Sequence, residues 1–116
     1  MDNIDWGEFL FKFDGRINRA KYWIGVVVIY VVVWLFAILF MATQSTFMGV
    51  IFFIVSLASI WPGLAVNIKR WHDRDKSGWW IFIAAIPLVG PIWALIETGF
   101  LPGTAGTNQY GPDPLA

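Results

Sequence analysis

The sequence predicts an all-α, polytopic membrane fold: three transmembrane helices preceded by a short amphipathic helix at the interface. Three observations carry this. Hydrophobic residues make up 58% of the 116, they are gathered into three long blocks, and every charge lies outside those blocks. Only 14% of residues are charged, against roughly a quarter in a soluble domain. A soluble chain this small buries only about two-thirds of its unfolded surface, so much of the apolar excess would face water. The same composition excludes a disordered chain, and a formal net charge of zero offers no footprint for nucleic acid. The absence of cysteine excludes a disulfide scaffold, a Cys-based zinc site and a thiol nucleophile.

Residues 1–21 form an N-terminal arm. Within it Trp6, Phe9, Leu10 and Phe13 recur at helical spacing and line one face. Asp5 followed by Glu8 resembles a capping box, Asp14-Gly15 supplies a turn, and Asn18 can cap the next helix. Such a helix either lies in the interface or covers the inner ends of the bundle, and packing over the bundle is the preferred reading.

The transmembrane domain covers 22–98. Its uncharged runs at 22–42, 47–68 and 79–96 would span about 32, 33 and 27 Å as helices, against a hydrocarbon core of about 30 Å. A strand in lipid would leave its backbone unpaired, so each run is expected to be a helix. The first run is too long for a signal peptide, and no clear cleavage site follows it. Pro87, Gly90 and Pro91 interrupt the third run. A full crossing is expected there, and the competing fold is a re-entrant hairpin around Ile86–Pro91 that would return the tail to its starting side. Residues 99–116 form a tail rich in Gly and Pro, read as a loop.

All eight basic residues fall in two segments. Lys12, Arg16, Arg19 and Lys21 precede the first run, and Lys69, Arg70, Arg74 and Lys76 separate the second from the third. Two crossings lie between these segments, so both share one face, which the positive-inside rule makes cytoplasmic. The N-terminus is then cytoplasmic and the C-terminus periplasmic. Trp6, Trp23, Trp71, Trp79 and Trp80 sit near that cytoplasmic interface, whereas Trp34, Trp61 and Trp93 fall within the spans.

The candidate site is the polar stretch 69–77 together with the arm. Arg16, Arg19, Arg70, His72, Asp73, Arg74 and Lys76 are the candidates for binding anionic lipid head groups or a partner, since guanidinium forks suit phosphate. His72 beside Asp73 could serve as a base or a metal ligand. One histidine without cysteine does not make a transition-metal site, so no metal, cofactor or catalytic residue is assigned. The spans hold no Asp, Glu, Lys, Arg or His, which argues against coupled transport. Ser59-x-x-x-Gly63 and Gly90-x-x-x-Ala94 allow close helix contacts, within the chain or in a homo-oligomer. The expected function is therefore a non-enzymatic structural, accessory or oligomerising membrane component. The alternatives are an oligomeric small channel or transporter, and then a lipid-headgroup enzyme using His72 and Asp73.

Four ordered motifs add to this reading. They are Phe13-x-Gly15-Arg16-Ile17-x-Arg19-x-x-Tyr22-Trp23, Arg70-x-His72-Asp73-x-x-x-Ser77-Gly78-Trp79-Trp80, Ile86-Pro87-x-x-Gly90, and the tail from Gly103 to Pro114. Together they resemble the domain-of-unknown-function family numbered 805, the YhaH-like small bacterial inner-membrane proteins. The resemblance runs from about Phe11 to Pro114 and implies a bacterial inner-membrane location and a compact helical domain, with no activity attached. Gly15, Arg16, Arg19, Arg70, His72, Asp73, Ser77, Gly78 and Gly111 to Pro114 match the family pattern. Thr107 and Gln109 stand where relatives often carry charges flanking the tail Asn, which weakens a charge-based role for the tail.

Overall fold

The computed structural model describes residues 4–115; the ends of the expected arm and tail, residues 1–3 and 116, lie outside them. The chain runs α1 (Trp6–Phe11), α2 (Arg19–Thr43), α3 (Thr46–Ala58), α4 (Ile60–Asp73), a 3₁₀ segment (Gly78–Ala85), α5 (Val89–Leu95) and a π turn (Ile96–Phe100). The expected caps form. The Asp5 carboxylate accepts from Glu8 N at 3.2 Å and the Asn18 amide oxygen from Lys21 N at 2.8 Å, each satisfying a first-turn donor. Gly15, at φ 89°, makes the turn between them, a conformation that costs glycine nothing.

Two helices are long and apolar enough to cross a membrane: Arg19–Thr43, and α3 with α4 as one rod over Thr46–Asp73. That rod is interrupted at Ser59. Pro62 lacks the N–H that the Ala58 carbonyl would accept, and the Ser59 hydroxyl bonds back to the Ser56 carbonyl at 2.7 Å, so the break sits where the ladder is weakest. The turn between the rods uses Gln44 at φ 51° and the Ser45 cap on Met48 N. Phe40 then stacks on Phe52 and lies against Gly49.

The arm covers one end of this pair. Phe9 is buried with Ile17, Tyr22 and Val66, and Gly25 lets the chains approach: a Cβ there would lie 2.9 Å from Val66 Cγ1 and 3.0 Å from Phe9 Cζ. The packing role expected of α1 is thus the one it has. Trp61, which falls within the second apolar run, donates to the Phe11 carbonyl at 2.8 Å and stacks on Phe13.

The third apolar run does not form the expected single helix over 79–96. Its 3₁₀ segment rises about 16 Å at 2 Å per residue and α5 about 10 Å, neither near the ~30 Å of a bilayer core. The two pieces fold back on each other through Pro87-Leu88-Val89. Here Val89 N bonds the Pro87 carbonyl at 2.8 Å and Leu88 takes φ 66°, ψ −61°, a γ-turn of the strained hand. Two prolines within five residues prevent continuous i→i−4 bonding, which is why the run breaks. The tail consequently packs at the same end as the arm and the basic loop: Thr104 N bonds the Asp73 carbonyl at 2.7 Å.

Gly90 is buried at the hairpin crossing, where a Cβ would run into the Ile83 carbonyl, whereas Gly63 has open space around it. Gly90→Ala should therefore destabilise the protein by about 1–3 kcal/mol through overpacking. Gly63→Ala should be neutral or slightly stabilising, because alanine favours helix. Paired thermal melts in one detergent check the difference.

Candidate functional site

The polar end is built on the last turns of α4. Lys69, Arg70, Trp71 and Asp73 are all buried there. Arg70 and Asp73 are three residues apart on one helix face and form an ion pair. The second carboxylate oxygen of Asp73 takes Arg16 Nε at 3.0 Å, so one aspartate holds two arginines, with all three side chains at 4% exposure or less. Two cations against one anion leave charge to be met by backbone dipoles. Arg16 donates to the carbonyls of Thr104 at 2.5 Å, Gly106 at 2.6 Å and Gly111 at 3.2 Å. Arg70 donates to the carbonyls of Thr98 at 2.6 Å, of Ile17 at 3.4 Å and of Leu101. Gly103 passes so close to Asp73 that a Cβ would collide with the carboxylate.

The same donors finish the hairpin. A helix end leaves its last carbonyls without partners, and the π turn after α5 presents five in a row. Thr98 is taken by Arg70, Gly99 by Trp23 Nε1, Phe100 by Arg19, Leu101 by Arg70 and Pro102 by Arg74. Cations at a helix C-terminus also oppose its dipole. Lys69 does the same for α1, donating to the Glu8 and Phe9 carbonyls.

Glu97 is buried beneath the loop. Lys76 Nζ lies 2.7 and 2.8 Å from its two oxygens, Trp93 Nε1 donates at 3.0 Å, and Arg74 Nε stands 3.6 Å away. Burial raises the Glu97 pKa, but the Lys76 and Trp93 hydrogen bonds and the two cations outweigh it and hold the carboxyl below its ordinary value. Lys76 also sits over the Trp80 ring at 4.6 Å. His72 stacks on Tyr110 at 3.9 Å with the rings 2° apart, and its Nδ1 donates to the Gly15 carbonyl at 2.9 Å. Asn108 ties the tail to the His72 carbonyl. Among the described residues no three His, Asp or Glu side chains converge as a metal site requires.

A family profile described as a protein of unknown function (DUF805) matches residues 10–112. The chain belongs to the DUF805 family. Its relatives include two proteins of Escherichia coli strain K12 named inner membrane proteins YhaI and YhaH. Each is 31% identical, covering 88% of this chain and 85% and 86% of the relative. The uncharacterized protein YiiR of the same organism is 32% identical over 91% of this chain and 88% of its own. No solved structure matches.

In this DUF805 chain the seven candidate residues share one end but not one site. Arg16, Arg70 and Asp73 are joined directly and buried; Arg74 and Lys76 flank Glu97; Arg19 caps Phe100; His72 stands apart on Tyr110. Arg70 is wholly enclosed, with its donors spent on the chain's own acceptors. Sequence reasoning missed Glu97 and Thr98 as members of this end, because the third run was expected to carry them to the far side. It also missed the tail, which is bound to Arg16 through backbone carbonyls and needs no charge of its own.

Asp73→Asn should cost about 3–5 kcal/mol, the range for removing one partner of a buried ion pair. Asp75→Asn, at an exposed neighbour, should stay within about 0.5 kcal/mol. Melting temperatures of the two purified variants separate these outcomes.

Proposed function

We propose that this chain is a small, non-catalytic inner-membrane protein that crosses the bilayer twice. Its arm, basic loop and tail lie on the cytoplasmic side, and it acts as an accessory component that holds anionic lipid head groups at that face. The relatives named as inner membrane proteins support the location. The orientation rests on the basic residues: all eight precede α2, lie in its first turn or follow the apolar part of α4, at one end of the two rods. The tail shares that end through Arg16 and Asp73.

The hairpin enters the bilayer partway from the same side. Its tip leaves few donors unpaired. Of Ile86–Pro91, two residues are prolines with no N–H, the N–H groups of Ile86, Val89 and Gly90 bond carbonyls of the hairpin, and that of Leu88 has no backbone partner among the described residues. The exposed apolar flanks of α2, α3 and the hairpin then face acyl chains.

The observation that carries the headgroup reading is the ring around the hairpin exit. Arg74 and Lys76 flank a single carboxylate, Glu97, Arg19 caps the Phe100 carbonyl at the same exit, and the indole of Trp79, three residues after Lys76, is exposed. A cationic rim with an interfacial tryptophan is what anionic head groups favour. Arg16, Arg70 and Asp73, buried and mutually bonded, form the frame beneath that rim. His72 is engaged in packing, and no catalytic role is assigned to it.

Two outcomes check this reading. A C-terminal green fluorescent protein fusion should fluoresce and an alkaline phosphatase fusion should be inactive; the reverse pattern would require a third full crossing. Arg19→Gln, an exposed change, should lower retention of phosphatidylglycerol in native mass spectra by about two- to fivefold, as loss of one surface charge contact worth up to ~1 kcal/mol implies. Unchanged retention would remove the rim from lipid binding.

A further inference from the structure

A second polar feature lies at the same end. The arm, the Gly15 turn and the ends of α2 and α4 enclose a cleft of about 250 Å³ whose charged lining is Asp5, Glu8, Asp14, Arg16, Lys21 and Lys69. Arg16 is committed to Asp73 and the tail. The Asp5 carboxylate caps α1. The Glu8 and Asp14 carboxylates and the Lys21 ammonium form no ion pair among the described residues. Lys69 is 3% exposed and gives hydrogen bonds to the Glu8 and Phe9 carbonyls. An ammonium carries three donors, so one remains uncommitted among the described residues.

The lining selects by charge. A free anion would face three carboxylates, and a simple cation would face Lys21 and Lys69. A molecule carrying both an ammonium and a phosphate, a few ångströms apart, meets each sign with its opposite. The cleft opens beside α1, whose exposed Trp6 and Phe11 are suited to the membrane boundary. We propose that it binds the phosphoethanolamine head group of phosphatidylethanolamine, an assignment that rests on the membrane placement proposed above. Glu8 and Asp14 accept from the primary ammonium, and Lys21 with the remaining Lys69 donor holds the phosphate. A quaternary ammonium has no N–H to give these carboxylates, so phosphatidylcholine lacks the hydrogen bonds that hold the primary ammonium.

The test uses the full chain released from nanodiscs holding equal amounts of phosphatidylethanolamine, phosphatidylcholine and phosphatidylglycerol with identical acyl chains. Native mass spectra should show phosphatidylethanolamine retained about tenfold over phosphatidylcholine, the effect of one or two charge-assisted hydrogen bonds. The exposed double substitution Glu8→Gln, Asp14→Asn should bring that ratio close to one, and Lys21→Gln should weaken both lipids alike. Equal retention in the unsubstituted protein, or a preference that survives the double substitution, would overturn the assignment. Soluble glycerophosphoethanolamine in excess should leave the lipid bound; complete displacement would make the free zwitterion the ligand and overturn the lipid. Loss of phosphatidylglycerol alone in Arg19→Gln would leave the cleft untouched. Failure of the cationic rim and failure of the cleft are therefore read from different lipids.

Discussion

Everything at the polar end follows from one constraint: backbone carbonyls brought together away from water must find donors. The hairpin exit, the Gly15 loop and the tail converge on α4 with acceptors that no helix or sheet satisfies. Arginine suits this demand better than lysine, because its five donors fan out in a plane and reach several carbonyls at once. Arg70 bonds three carbonyls from two chain segments, at Ile17 and at Thr98 and Leu101, while Asp73 offsets the charge that burial would otherwise penalise. Removing any member leaves the others buried with groups unmet. The cluster therefore behaves as a single structural unit, not as a set of surface charges.

This constraint also links the membrane part to the polar part. The third apolar run can turn back only because its returning end is received. Thr98 and Gly99 are buried, and the carbonyls that follow are taken up by Trp23, Arg19 and Arg74 from α2 and the loop. Lys76 and Glu97 add a second tie across the same junction. The strained turn at Leu88 sits at the far end of the hairpin, away from these bonds, where Pro87 and Pro91 contribute no N–H.

Much of the fold was legible in the residues. The two long rods, the caps at Asp5 and Asn18, the turn at Gly15 and the packing face of α1 all follow from local patterns that tertiary context reinforces. The hairpin was legible only as an alternative, since an 18-residue apolar run with two prolines is compatible with a bent crossing or with a reversal. The candidate site was legible as a list and not as a geometry. Arg16 and Asp73 are separated by 57 positions and the tail carbonyls by about 90, and a side chain's partners at such distances leave no periodic trace.

Sequence alone determined the helical class, the two apolar rods and the gathering of every basic residue at one end, because these depend on composition and on patterns within a single element. Tertiary structure decided the direction of the third run and the position of the tail. It also decided which arginines face outward. Those outcomes turn on whether distant carbonyls and carboxylates meet a donor, and only the folded arrangement of Arg16, Arg70, Asp73 and the hairpin exit provides that answer.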